Sequence, residues 1–365
     1  MAARVRLPRQ AGPLGGSGSG RVRRRRTTVT GRLCDVSEES GPAAPVREAV
    51  RAYAARQPRL VAATAGWVTL VRTLLDDAGI DYLSVTGRTK SVASFSAKAN
   101  RTEGGAALYP DPLEQITDQI GVRVITYVHS DVAAVAELLD DELAILDDRD
   151  LGEEMARSGR FGYASRHLLV RADDEHPDLA GERASVQVRT VLQHAWAEFE
   201  HDIRYKGNVP EDAAADLDRR FTLAAGLIEL ADREFSTIRR RIQAAAPDST
   251  TEAEADHVVG QELATFLAGH YSDAGWSHTD HYDWIAGLLG QLGIDTVDDL
   301  ADLLTSVDAD AVIRRMGYRY PAGAVRRLDD ALLAIFGEQY VTLEGNSHRV
   351  PLLRARLEKL TTSET

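Results

Sequence analysis

Residues 120–128 read Ile-Gly-Val-Arg-Val-Ile-Thr-Tyr-Val. A run this rich in β-branched residues fits a buried strand. Arg123 stands in its middle, where an unpaired charge is costly. The strand must therefore bring Arg123 to a partner such as a phosphate or a carboxylate. A second strand, 184–189, has one apolar face and one polar, cationic face. Val186 and Val188 mark one face, Gln187 and Arg189 the other.

Other segments fill in a sheet. Short strands are predicted at 81–85, 144–146 and 165–170. Helices are predicted over 45–78, with a break near Pro58, and over 91–101, 190–204 and 216–246, with another opened by Asp131 as N-cap. Strands mixed with helices predict an α/β (α+β) fold, a mixed β-sheet flanked by helices. The chain turns polar around Pro247 to Thr251, which reads as a linker over 247–256. Beyond it, apolar residues recur at helical spacing, as in Leu263, Phe266 and Leu267 or Leu328, Leu332 and Leu333. Residues 257–360 are thus expected to form a C-terminal all-α module.

Charge narrows the function. The net charge is −13, yet residues 1–26 hold eight arginines and no acid, which leaves −21 on the remainder. An acidic body is a poor general nucleic-acid binder. Residues 1–40 read as a disordered basic tail, or as an arm for nucleic acid. A single cysteine, Cys34, excludes a disulfide framework and fits a cytoplasmic protein. No apolar run is long enough for a membrane span.

Four segments carry candidate chemistry. The first holds Arg88, Lys90 and Lys98, cations that suit a triphosphate if they converge. On their own such residues are usually a solvated face. The second is Asp118, at the edge of the 120–128 strand, where a carboxylate can serve as a turn residue or as a ligand for Mg²⁺. The third is Gly162-Tyr163, followed by His167; the glycine admits close approach and the ring can stack on a purine. The fourth is Gln187 and Arg189, running on to Lys206. His194, Glu198 and His201 share one helix face, a spacing that resembles a metal-ligand stripe but is more economically read as side-chain pairing. His278, Asp280 and His281 read as polar loop residues.

Together, these segments make residues 45–246 resemble the synthetase domain of the RelA/SpoT family. Arg88, Lys90, Ser94 and Lys98 match one motif, Asp118 and Arg123 a second. Gly162, Tyr163, Ser165 and His167 match a third; Gln187, Arg189, Thr190, Trp196, Glu200, His201, Tyr205 and Lys206 match a fourth. The resemblance implies a nucleotidyltransferase-like sheet and transfer of the β,γ-pyrophosphate of ATP to the 3′-hydroxyl of GDP or GTP, which yields ppGpp or pppGpp. It implies Asp118, Arg123, Gln187 and Arg189 as catalytic, with Asp118 on Mg²⁺. Arg88, Lys90, Lys98, Tyr163, His167 and Lys206 would bind substrate, Tyr163 by stacking on guanine. It also points to the small, single-function members, which often form homo-oligomers, because 45 residues ahead of the domain cannot hold a hydrolase.

One departure stands out. The fourth motif usually opens with a glutamate two residues before the glutamine, and here Ser185 occupies that place. Serine is neutral and a poor base. Glu182 is three residues earlier, an odd offset that points to the opposite face of a regular strand. A catalytically degenerate nucleotide sensor is therefore an alternative reading. Modification of a tRNA 3′ end is another, against which the acidic body argues.

Overall fold

The computed structural model describes residues 44–157, 165–172, 176–179, 181–206, 214–245 and 258–362. The basic N-terminal segment, Gly162, Tyr163 and the 247–256 segment lie outside them.

A five-stranded mixed sheet organises the first half. Its strands are β1 (Ser84–Thr89), β2 (Ile120–Thr126), β3 (Ala144–Asp150), β4 (Arg166–Arg171) and β5 (Arg183–Thr190), in spatial order β1-β2-β5-β4-β3. β2 and β5 run parallel; every other neighbouring pair is antiparallel. The first strand begins later than the 81–85 pattern predicts. Leu83 nevertheless donates its N–H to Ile125 at 2.7 Å, so pairing starts just ahead of it.

Alternation gives the sheet two unlike faces. Val85, Ile120, Val122, Val124, Val186, Val188, Leu168 and Val170 form the apolar side, all buried. They pack with Trp67, Val71 and Leu75 of helix α1 (Ala44–Ala78) and with Val135, Leu138 and Leu139 of a later helix, His129–Glu142. Contrary to the expected break, α1 passes straight through Pro58. Proline removes one helical hydrogen bond, to the carbonyl of Ala54. Both residues are on the exposed side of the helix, where solvent can take the place of the lost donor, while Tyr53, Leu60 and Trp67 keep the buried face continuous.

Besides α1 and a single turn at Pro112–Gln115, the α-helices described in this half are α2 (Val92–Ala99), α3 (the His129–Glu142 helix), α4 (Leu151–Arg157), α5 (Val191–Lys206) and α6 (Ala214–Ala245). Asp131 falls in the first turn of α3 rather than at its cap, which is Val128. There the Asp131 carboxylate binds Arg239 of α6, with Nη1 at 2.8 Å, and that pairing outcompetes a capping role.

Residues 258–362 build a second core around Leu263, Phe266, Leu289, Leu300, Leu332 and Leu353. Its main helices are α7 (Gly260–His270), α8 (Thr279–Gln291), α9 (Val297–Leu304), α10 (Ala309–Met316), α11 (Ala324–Phe336) and α12 (Val350–Thr361). This core is fastened to the C-terminal end of α1. Ser277 donates to the Gly79 carbonyl at 2.7 Å, and Gly323 donates its N–H to the Ala78 carbonyl at 3.0 Å. A Cβ on residue 323 would stand 1.9 Å from the Gly79 oxygen, so only glycine fits there. Arg326 reaches Asp77 at 2.6 Å, and Arg356 also pairs with it. Among the described residues no helix is long and apolar enough to cross a membrane.

Candidate functional site

The site begins where β1 ends. Gly87 lies under α1; a Cβ there would meet Val68 at 2.5 Å and Thr64 at 2.8 Å. That close approach turns its neighbour Arg88 to the opposite, polar face. Lys90 follows, held by its own backbone: its N–H donates to Gln119 at 2.9 Å, and its carbonyl accepts from Tyr53 at 2.6 Å. Ser91 then caps α2, accepting from the Ser94 N–H at 3.1 Å. The helix is pinned by Phe95, fully buried and stacked on Tyr53 with ring centroids 4.1 Å apart. Its last turn returns Lys98 toward Lys90.

Both ammonium groups meet Asp118. Lys90 Nζ lies 2.7 Å from Oδ2 and Lys98 Nζ 3.0 Å from Oδ1. Gln119 fixes this turn by donating to the carbonyls of Leu113, at 2.6 Å, and Ile116, at 3.0 Å. Burial pushes the Asp118 carboxyl upward, but the hydrogen bonds and charges of Lys90 and Lys98 more than offset it and hold the group below the usual aspartate range.

The sheet supplies the rest in rows. Arg88, Gly121 and Ser185 stand side by side, and the Arg88 side chain lies over Gly121, Cγ 3.6 Å from where a Cβ would be. Arg123, Gln187, His167 and Arg149 form the next row. Arg189, one step further along β5, donates to Gln187 Oε1 at 2.7 Å. Burial lowers the Arg189 guanidinium to about 10, helped by Arg123 and Arg88 and opposed by Glu198. His167 is pushed down by burial and then by Arg149. This face is therefore a cationic surface whose charges repel one another, a suitable floor for polyanions.

Helix α5 closes over that floor. Thr190 caps it by accepting from the Gln193 N–H at 3.1 Å, and Gln193 Oε1 accepts in return from the Thr190 N–H at 3.0 Å. Thr190 Oγ1 also donates to Asp232 of α6 at 2.8 Å. The helix packs on β2 and β5, and Glu198 accepts from Arg123 Nη1 at 2.9 Å. The charge expected to need a partner thus has one.

Of the residues singled out in the sequence, Arg88, Lys90, Lys98, Asp118, Arg123, His167, Gln187 and Arg189 are brought to this face or its rim. Tyr163 lies outside the described residues, as does the Lys206 side chain. Ser185 occupies its expected place beside Gly121. Glu182 is buried and committed to α1, with Arg59 at 3.2 Å and Arg56 at 3.5 Å. It cannot substitute for a carboxylate at 185. His194 and Glu198 pair at 3.8 Å. Among the described residues no three His, Cys, Asp or Glu side chains are grouped to hold a metal. His278 and His281 approach Asp280, at 3.8 Å, and Asp76, at 3.5 Å. The Glu198–Arg123 contact was hidden in the sequence, because 75 residues separate the partners and Glu198 reads equally well as part of a helix-face pair.

The family model described as the region found in RelA / SpoT proteins matches residues 87–209. The GTP pyrophosphokinase YjbM of Bacillus subtilis (strain 168) is 33% identical over 186 residues, covering 48% of this chain and 81% of that protein. YwaC, a GTP pyrophosphokinase of the same organism, is 28% identical over 158 residues, covering 42% of this chain and 72% of its own. Among solved structures, small alarmone synthetase 1 from Bacillus subtilis bound to its product pppGpp is 28% identical, with a TM-score of 0.37 over 55% of this chain and 95% of that one. The matched region starts at Gly87, where β1 turns Arg88 onto the cationic face, and runs through Asp118, Arg123, Gln187 and Arg189; the chain belongs to the RelA/SpoT family.

Proposed function

We propose that the chain transfers the β,γ-pyrophosphate of ATP to the 3′-hydroxyl of GDP or GTP. The observation that carries this reading is the pair of charged groups assembled from distant segments: Lys90 and Lys98 on Asp118 where β1 ends and β2 begins, and Arg88, Arg123 and Arg189 on the polar face of the same strands and of β5. Arg88, Lys90 and Lys98 would hold the ATP phosphates. Arg123 and Arg189 would take the charge that develops on the transferred group, with Gln187 fixing Arg189. Tyr163 would stack on the guanine, and His167 and Lys206 would complete the acceptor site. The 3′-oxygen attacks the β-phosphorus, the bond from that phosphorus to the α,β-bridging oxygen breaks, and AMP leaves. Alignment and charge stabilisation supply most of such catalysis.

Mg²⁺ suits the donor set, since this ion prefers one or two carboxylates completed by water and substrate phosphates. Asp118 would hold it. When bound, it offsets the phosphate charge. A working place in the cytoplasm, where both nucleotides are at hand, belongs to the same reading.

The test is incubation of the purified chain with labelled ATP, Mg²⁺ and GDP, GTP or tRNA. Label on GDP or GTP supports the proposal. Nucleotide affinity without transfer favours a sensor instead, a reading motivated by neutral Ser185 and by the commitment of Glu182 to Arg56 and Arg59.

A further inference from the structure

The transfer reaction proposed above needs a group to accept the proton of the attacking hydroxyl. We infer that Glu198 is that group, the second carboxylate of the site, in place of the one that Ser185 lacks; the inference rests on that reading.

Position supports it first. Because α5 starts directly after β5 and reaches back to Arg123, it runs over the polar face toward the start of the strands. Eight residues of helix span about 12 Å. Along β5, Gln187 lies about 10 Å and Ser185 about 16 Å from Thr190. Glu198 is therefore level with the interval between Gln187 and Ser185. Its charge reaches the cations on either side of Arg123's partner row, since it opposes the repulsion that Arg123 imposes on both Arg189 and His194.

Availability comes second. Asp148 is held by Arg166 and Glu154 by Arg149, each through both oxygens, and Glu182 is buried under α1. Asp118 is held by two lysines. Glu198 binds Arg123 through Oε1 alone, and its side chain is 56% exposed. Oε2 has no hydrogen-bond partner among the described residues. A phosphate arriving at Arg123 competes for that guanidinium and leaves the carboxylate to accept from a hydroxyl.

The step balances without a further reactant. The 3′-hydroxyl proton passes to Glu198, the oxygen bonds to the β-phosphorus, and AMP departs with the electron pair of the broken bond.

Glu198→Gln tests the idea, because glutamine still accepts from Arg123 and leaves the helix unaltered. Single-turnover transfer from ATP to GDP is measured in wild type, Glu198→Gln, Ser185→Glu and the double variant, with calorimetry of α,β-methylene-ATP on each. The expected result is at least a hundredfold loss of rate in Glu198→Gln, analogue affinity within about threefold, and recovery of at least a tenth of the wild-type rate in the double variant. An active wild type with Glu198→Gln within threefold overturns the inference alone. So does a double variant as slow as Glu198→Gln. A wild type that binds the analogue but transfers nothing, while Ser185→Glu transfers, overturns both this inference and the proposed activity.

Discussion

Each oxygen of Asp118 accepts from an ammonium group, so a divalent cation that arrives alone must compete with two positive charges for its ligand. The size of that competition follows from exposure. The Lys98 and Asp118 side chains are 25% and 30% exposed, which places their pair among screened contacts of about 1 kcal/mol. Lys90 is only 9% exposed, and its pair is less screened, about 1–2 kcal/mol. Together they oppose a lone metal by about 2–3 kcal/mol, a factor on the order of 10². ATP phosphates that draw both lysines away would release the carboxylate. Metal affinity should therefore be coupled to nucleotide. Titration of Mn²⁺ followed by the electron paramagnetic resonance of the free ion, with and without saturating α,β-methylene-ATP, reads this directly. Lone Mn²⁺ should bind about a hundredfold more weakly than in the ternary complex. Lys98→Met should tighten lone Mn²⁺ by about fivefold while weakening the analogue; Asp118→Asn should remove most of the nucleotide-dependent gain. Equal Mn²⁺ affinity with and without the analogue, or an unchanged lone-metal affinity in Lys98→Met, would refute the competition.

Three further outcomes test the frame around the site. Gly87→Ala should destabilise the protein by about 1–3 kcal/mol, because its methyl would collide with Val68 and Thr64; urea denaturation measures it, and Val68→Ala in the same chain should recover part of the loss. Arg356→Met strips a buried guanidinium from Asp77, Asp329 and Asp330, and should cost about 3–5 kcal/mol; a loss under 1 kcal/mol would mean that this cluster does not fasten the C-terminal helices to α1. Burial, and then Asp131, push the Asp81 carboxyl up to about 7, against Arg239, His281 and the Tyr82 N–H. A raised folded-state value means that Asp81 contributes stability fully below its ordinary 3.8, and that this contribution is lost as pH rises through about 7. Asp81→Asn should match wild type below pH ~4 and exceed it at pH ~8, by an upper limit of about 4 kcal/mol. A constant difference between the two proteins across thermal melts from pH ~4 to ~8 would exclude that assignment.

How much of this was readable in the sequence depends on whether a residue's role is fixed by its neighbours in the chain or by distant partners. Alternation in 120–126 and 184–189 assigns faces locally, so the buried valines and the side of Arg123, Gln187 and Arg189 could be read before any contact was known. Ser185 was legible for the same reason, and so was the unsuitability of Glu182, whose odd offset now has a physical counterpart in Arg56 and Arg59. Pro58 misled because a proline is judged by its local hydrogen bond, whereas continuity of α1 is decided by the buried stripe from Tyr53 through Leu60 to Trp67. Asp131 misled in the same way: its capping chemistry is local, but Arg239, 108 residues on, holds it. The pairing of Asp118 with both lysines depends on Ser91 and Phe95 setting α2 at one angle against Tyr53. Glu198 depends on the direction in which α5 leaves β5. Spacing carries no information about either angle. The motifs identify which charges belong to the site, and the packing of two helices decides which of them remain paired with protein until a phosphate competes for them.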